Sequence, residues 1–254
     1  MDPDRTHLVV IPSYNPGRRL ASTVADALAA WKPVWVVSDG STDGSDRAVA
    51  DSHDDAAVLR VVTRPVNGGK GAAVLTGAGE ALRAGFTHAL VMDADGQHPA
   101  GRIPDFMGAS KGAPDAMILG RPEFDPDAPW IRRNGRKLSV ALVSLELFGR
   151  SVGDPLFGFR VYPLAPLERI LRSIRGARRF DFDPEVAVRL AWSGVPCMNL
   201  AARCRYIPAA EGGVSHFRYF RDNVRMVGLH TRLITELLLF RWPAAVRARR
   251  KLHR

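Results

Sequence analysis

Two carboxylates stand two residues apart in His88-Ala89-Leu90-Val91-Met92-Asp93-Ala94-Asp95-Gly96-Gln97-His98-Pro99, directly after a run of Ala, Leu, Val and Met. The run reads as a buried strand that Gly96 and Pro99 bring to a stop. Unpaired charge at the tip of a buried strand is costly. The two Asp therefore imply either a cleft at the strand tip or a cation that neutralises them. A hard divalent cation, completed by water and diphosphate oxygens, satisfies both conditions. A solvated strand-end turn is the plainer alternative, because Asp and Gly are ordinary turn residues.

The elements that must carry this pair alternate. Leu8-Val9-Val10-Ile11 predicts a strand that runs into Pro12-Ser13-Tyr14-Asn15-Pro16-Gly17. Leu20, Val24, Leu28 and Trp31 then recur at helical spacing. Val34-Trp35-Val36-Val37 predicts a second strand, ending at Ser38-Asp39-Gly40-Ser41-Thr42-Asp43-Gly44. A helix from Ser45 and a strand over Val58–Val62 follow. Asn67-Gly68-Gly69-Lys70-Gly71 is a glycine loop with one cation, leading into a small-residue helix over Ala72–Ala84. Strand and helix in alternation predict an α/β fold with a parallel sheet and helices on both faces. In such sheets ligands sit outside the carboxyl ends of the strands. The polar clusters at 12–15, 38–44, 67–71 and 93–98 all fall at that edge, which favours the cleft over the solvated turn.

Beyond Pro99, Met117-Ile118-Leu119 predicts a short strand running into Gly120-Arg121, and residues 122–129 are acidic and turn-rich. A basic cluster, Arg132 to Lys137, precedes an apolar helix over Leu138–Phe148. Asp154 stands just before a strand that contains Gly158-Phe159-Arg160, and a helix follows over Leu164–Ile174. Asp183-Pro184-Glu185 reads as a helix start, with Asp183 as N-cap, and Ser193-Gly194 ends that helix. Residues 195–207 read as strands.

With 254 residues and 46% hydrophobic content, the chain is long enough to bury a substantial core. Met1-Asp2-Pro3-Asp4 lacks the apolar run of a signal peptide, and no apolar stretch reaches the ~18–20 residues of a membrane span. Cys197 and Cys204 match neither a zinc pattern nor a disulfide framework, which suits a reducing cytoplasm. Residues 216–254 hold ten Lys and Arg against Asp222 and Glu236, so most of the formal net charge of +10 belongs to the tail. A helix is expected there from His216 to about Trp242, with Arg218, Arg221, Arg225 and Arg232 on one face and Phe217, Phe220, Val224 and Val227 beside them. Two readings share this pattern: an interfacial helix on an anionic membrane, or a core-packing helix with a solvated basic end.

Four stretches in this order resemble the family 2 nucleotide-sugar glycosyltransferases. They are Ile11-Pro12-Ser13-Tyr14-Asn15, Ser38 to Gly44, Asn67 to Gly71, and Met92 to Pro99. The Asp-Ala-Asp-x-Gln-His-Pro form, Gly158-Phe159-Arg160 after Asp154, and Phe182-x-x-Glu185 are most similar to the dolichyl- and polyprenyl-phosphate sugar transferases. The resemblance implies a single glycosyltransferase-A-type, Rossmann-like α/β domain with a mixed sheet, residues 1–215. The basic amphipathic tail, 216–254, would touch the membrane. It implies that Pro12, Tyr14, Asn15, Asp39, Lys70, Ala94 and Asp95 meet the donor, and that Asp93, Asp95 and Gln97 hold Mg2+ or Mn2+. Arg121 would meet the diphosphate or the acceptor phosphate, and Arg136, Ser139 and Arg133 the acceptor. The family often has Glu where Asn15 stands, and a basic residue where Glu211 precedes Gly212-Gly213-Val214-Ser215.

The implied reaction is direct displacement, with inversion, of a hexose from a UDP- or GDP-linked sugar. A phosphate acceptor such as polyprenyl phosphate is already anionic and needs no general base. A hydroxyl acceptor on a glycan or secondary metabolite needs one, and Asp154 stands at the family position for it, unless it is only a turn acid before Pro155. His98 and His216 are either acceptor-side groups or structural histidines. The expected location is the cytoplasm, peripheral on the inner face of the membrane. A basic nucleic-acid-binding protein is the third class. No nucleic-acid motif is present and the first 215 residues are nearly neutral, which weighs against nucleic acid as a partner.

Overall fold

The computed structural model describes residues 2–124, 130–147, 149, 152–174, 176, 178–179, 181–204 and 219–241, without the side chains of 130–135, 219–221, 223 and 241. The side chain of Arg133, residues 205–218 with Glu211 and His216, and the basic end from residue 242 lie outside the described residues.

Seven strands form one sheet in the order β3-β2-β1-β4-β6-β5-β7. They are β1 (His7–Ser13), β2 (Val34–Asp39), β3 (Leu59–Arg64), β4 (His88–Val91), β5 (Met117–Phe124), β6 (Arg160–Pro163) and β7 (Cys197–Cys204). β3, β2, β1 and β4 are parallel neighbours, as the alternation predicts. β6 is antiparallel to both β4 and β5, which makes the sheet mixed. The reversal has a consequence for the site. The first residues of β6 lie at the edge where the other strands end, and Arg160 is in register with Val91.

The apolar runs are continuous because the strands are covered on both faces. Alternate side chains divide between two cores. Leu8, Val10, Trp35, Val37, Ala89 and Val91 enter one, and Val9, Ile11, Val34, Val36, Leu90 and Met92 the other. The first core receives α3 (Lys70–Arg83), α6 (Leu164–Ser173), α7 (Phe182–Trp192) and α8 (Tyr219–Glu236). The second receives α1 (Arg19–Ala30) and α4 (Ile103–Gly112), with α2 (Ser45–Ala50) nearby. The tail helix is therefore part of the core on its inner side, through Met226, Leu229 and Leu233. Its outer side leaves Val224 and Val227 exposed, and Leu238, Leu239 and Phe240 are exposed on the π-helical turn Leu237–Arg241 that follows.

Several boundaries differ from the expectation; the strand expected to contain Gly158-Phe159-Arg160 begins only at Arg160, because Phe157 to Gly158 belong to the loop that the Arg160 guanidinium holds. β5 continues to Phe124 because β7 pairs along its whole length, whereas β6 pairs only with Ile118 and Leu119, so Pro122 has one side free of a ladder. α5 (Trp130–Glu146) begins before Leu138 and takes up the basic cluster, whose Arg and Lys are good helix formers. The N-cap position of α7 is Asp181 rather than Asp183, and the Asp181 side chain accepts the Arg179 N–H instead of capping the helix. Asp183 lies inside the first turn, and its carboxylate is used elsewhere.

Candidate active site

Helix α3 brings the cation of the glycine loop to the acidic strand tip. Its buried face is built from Gly71, Ala72, Ala73, Gly77 and Ala78. A Cβ on Gly77 would lie 3.0 Å from Val37 Cγ2 and 3.1 Å from Val10 Cγ1, so this helix rests directly on the sheet. Lys70 is its first residue. Gly69 before it has φ +90°, and a side chain there would overlap the Arg178 carbonyl. That carbonyl also accepts the Gly71 N–H at 3.1 Å.

Lys70 Nζ lies 2.7 Å from Asp93 Oδ1 and 2.7 Å from Asp183 Oδ2. Burial disfavours the ammonium, but the Asp183 and Asp93 carboxylates overcome it and hold the Lys70 pKa above its ordinary value. Burial likewise works against the Asp93 carboxylate, and Lys70 keeps it ionised, below the usual range. Gly158 makes the pair possible, because a Cβ there would run into Lys70 Nζ and lie 3.1 Å from Asp93 Oδ2.

Asp95 is in a different state. Its Oδ1 accepts the Gln97 N–H at 3.0 Å, and no cation lies within ion-pair distance among the described residues. Burial, then the neighbouring Asp93, push its pKa up. His98 Nδ1 accepts the Asp93 N–H at 2.9 Å, so its neutral form carries the proton on Nε2, 3.6 Å from Asp93 Oδ2. Burial depresses His98 against the pull of Asp93 and Asp95. Its ring stands edge-on to Phe157 and Phe159.

Arg160 is fully buried and holds the other wall. It donates to the carbonyls of Phe157 (2.8 Å), Asp183 (2.6 Å), Pro155 (2.7 Å) and Asp154 (3.2 Å), and to Tyr162 Oη (3.3 Å). One guanidinium thereby fixes the 154–159 loop to the start of α7. Asp154 has both oxygens engaged: Oδ2 accepts from Arg136 Nη1 at 2.7 Å, and Oδ1 from the Leu156 N–H at 2.8 Å. Arg136 also lies over the Phe124 ring, at 5.3 Å. Ser139 is half-buried one helical turn further along α5. Arg121 is exposed, directly after Gly120, whose N–H donates to the Phe159 carbonyl at 3.0 Å.

Of the residues expected to meet the donor, Pro12 is buried, Tyr14 is exposed and Ala94 is buried. Asn15 has φ +45°, and its Oδ1 accepts the Thr42 N–H at 2.8 Å, which ties the β1 loop to the β2 loop. Asp39 is 2% exposed. Its carboxylate accepts from Arg64 Nε (2.7 Å) and from the N–H groups of Gly68 (3.1 Å) and Gly69 (2.6 Å), so it secures the loop that presents Lys70. The structure thus gathers Lys70, Asp93, Asp95, Gln97 and Asp154 around the Gly158 loop. Pro12, Asn15 and Asp39 lie at the same edge on the β1 and β2 side.

The residues that spacing did not single out are Asp183, Arg64 and Arg160 as an anchor. Asp183 is the partner of Lys70 from 113 residues away. Pro184 after it gave the signal of a helix start, and nothing local distinguishes a capping Asp from one that reaches an ion pair.

The profile of Glycosyl transferase family 2 matches residues 8–170. The chain belongs to that family. Polyprenol monophosphomannose synthase of Mycolicibacterium smegmatis is 31% identical over 202 residues, 76% of this chain and 73% of that one. Undecaprenyl-phosphate mannosyltransferase of Micrococcus luteus is 26% identical over 200 residues, 74% and 78% of the two chains. Among solved structures, glucosyl-3-phosphoglycerate synthase from Mycobacterium tuberculosis, in complex with Mn2+, UDP-glucose and phosphoglyceric acid, superposes with a TM-score of 0.58 at 19% identity, over 92% of this chain and 79% of that one. That likeness is one of fold. This family 2 chain is a glycosyltransferase of the A-type α/β fold.

Proposed function

We propose that this glycosyltransferase moves a hexose, with inversion, from a UDP- or GDP-linked sugar to the phosphate of polyprenyl phosphate or a similar membrane lipid. The observation that carries the reading is the strand tip where Lys70 neutralises Asp93 and leaves Asp95 without a cation. The names of the two relatives point to a lipid-phosphate acceptor.

The donor set fits a hard divalent cation, Mg2+ or Mn2+. Asp93 and Asp95 would hold it, with Gln97 beside them. No cluster of three His, Cys, Asp or Glu occurs among the described residues, so water and diphosphate oxygens would complete the coordination. When bound, such a cation stabilises the negative charge of the departing nucleoside diphosphate. Lys70 and Arg121 are the residues that would add positive charge on the diphosphate. Pro12, Tyr14, Asn15 and Ala94 would line the donor pocket, and Asp39 would position the glycine loop as well as meet the nucleoside. Arg136, Ser139 and Arg133 would receive the acceptor phosphate.

An acceptor phosphate is its own nucleophile. A hydroxyl would need a base, and Asp154 is held on both oxygens by Arg136 and Leu156. That commitment favours the phosphate acceptor. We place the enzyme on the inner face of the membrane, with the apolar outer side of α8 and the basic residues after it on anionic lipid. No helix among the described residues is long and apolar enough to cross a membrane. The domain division at residue 215 is retained as a functional one, with α8 packed on the catalytic core.

The test offers purified enzyme UDP-glucose and GDP-mannose with polyprenyl phosphate or with the free polyprenol. Sugar transfer to the phosphate and none to the alcohol is expected. Transfer to the alcohol at a comparable rate would overturn the phosphate assignment.

A further inference from the structure

Lys70 holds one oxygen of Asp93, a carboxylate that the metal would also use. Its Nζ is 2.7 Å from Asp93 Oδ1, while Asp95 on the same strand tip has no cationic partner among the described residues. A cation held by both Asp93 and Asp95 would share Asp93 with the Lys70 ammonium on Oδ1, and two cations at one carboxylate repel each other. Asp183 makes a retreat of that ammonium feasible. It is 7% exposed, accepts Nζ through Oδ2 at 2.7 Å, and leaves Oδ1 buried with no hydrogen-bond partner. Asp183 can therefore accept a second ammonium hydrogen without giving up an existing bond. The backbone of Lys70 is fixed by the Gly69 and Gly71 contacts with Arg178, so the side chain alone has to move. Arg160 cannot substitute, because it is committed to four carbonyls and Tyr162.

We propose that Lys70 is an internal counter-ion that competes with the divalent cation for Asp93, and that Asp183 retains it, aimed at the donor diphosphate, once metal and donor are bound. The proposal rests on the metal-dependent reading above. Without a diphosphate, metal binding costs Lys70 one of its two carboxylates. With a diphosphate present, the released ammonium gains an anionic partner instead. Metal and donor therefore bind cooperatively, and by linkage each raises the affinity of the other by the same factor.

The experiment titrates Mn2+, followed by the electron paramagnetic resonance of the free ion, into wild type, Lys70→Met, Lys70→Gln, Asp183→Asn and Asp95→Asn, each with and without UDP or GDP. Wild type is expected to bind Mn2+ about tenfold or more tightly with nucleotide than without, the scale of one charge-assisted hydrogen bond. Both Lys70 variants should bind Mn2+ without nucleotide about tenfold more tightly than wild type and show a smaller nucleotide effect, the part that direct ligation by the diphosphate oxygens supplies. Asp183→Asn, which leaves Lys70 wholly to Asp93, should bind it more weakly. Lys70 variants with unchanged or weaker nucleotide-free affinity would overturn the counter-ion. If neither Lys70 variant folds, an unchanged nucleotide-free affinity in Asp183→Asn overturns it instead. A wild type that binds no Mn2+ with either nucleotide would sink the metal-dependent reading itself.

Discussion

Gly158→Ala separates the chemistry of the site from the stability of the fold. Gly158 is not one of the glycines with positive φ, so alanine brings no backbone strain. Its Cβ would collide with Lys70 Nζ and approach Asp93 Oδ2 to 3.1 Å. An ordinary contact is about 3.5 Å, so the ammonium must retreat by about 1 Å. The 2.7 Å contact with Asp93 Oδ1 is then lost as a hydrogen bond. In the loaded site the same Cβ holds the ammonium back from the donor diphosphate, and a charge-assisted hydrogen bond there is worth about 1.5–3 kcal/mol, which corresponds to a ten- to hundredfold loss. The group displaced is the end of a flexible side chain, so the fold should lose less than the ~1–3 kcal/mol usual for overpacking. Steady-state transfer from a nucleotide sugar, together with urea unfolding, reads both quantities. The expected result is kcat/KM reduced about ten- to hundredfold, by the same conversion, in a protein close to wild-type stability. A folded Gly158→Ala enzyme with kcat/KM within about twofold of wild type, well below the loss set by that hydrogen bond, would refute the role given to the Lys70 ammonium at the diphosphate.

Other expectations follow from the same geometry. Asp154→Asn should lower kcat by much less than the ~10²–10⁴-fold typical of a lost general base, while raising the acceptor KM through a loosened Arg136; a loss within that range would restore Asp154 as the base. The buried His7 ring stacks on His88 at 4.5 Å, and burial followed by the His88 charge lowers its pKa to about 4. The unfolded chain takes up that proton nearer pH 6.5, so stability is full above that value and falls as pH drops toward 4, by at most about 3 kcal/mol. Urea midpoints at pH 7 and 4.5 should show a flatter pH dependence in His7→Phe, and an identical dependence would contradict the assignment. Leu238→Ser/Leu239→Ser/Phe240→Ser should weaken binding to vesicles containing anionic lipid without unfolding the protein, since all three side chains are exposed. Truncation at residue 233 is the poorer test, because Leu233 and Leu237 are buried.

The strands were legible because a strand covered on both faces must be apolar throughout, and Val34-Trp35-Val36-Val37 has no other economical reading. Asp93 and Asp95 stood out because carboxylates seldom end such a run without a partner. The antiparallel β6 was not legible: Arg160-Val161-Tyr162-Pro163 carries no mark of direction, and the reversal depends on where the 154–159 loop returns. Lys70 was visible as the one cation in a glycine loop, yet its partner Asp183 was not, because the two are 113 residues apart and meet only in the tertiary fold. Arg160 was noticed as part of a motif, but its burial was not, since an isolated Arg in sequence reads as surface. The tail helix kept two readings because one amphipathic pattern serves both. The structure assigns its inner stripe to the core and leaves the outer stripe exposed.

The most direct test of the central claim is transfer of labelled sugar from UDP-glucose or GDP-mannose to polyprenyl phosphate in detergent, with Mg2+ or Mn2+, comparing wild type with Asp95→Asn. Product that forms with metal, disappears with EDTA and is absent in Asp95→Asn is the predicted result. Transfer that continues unchanged in EDTA, or in Asp95→Asn, would contradict a metal-assisted departure at the Asp93–Asp95 strand tip.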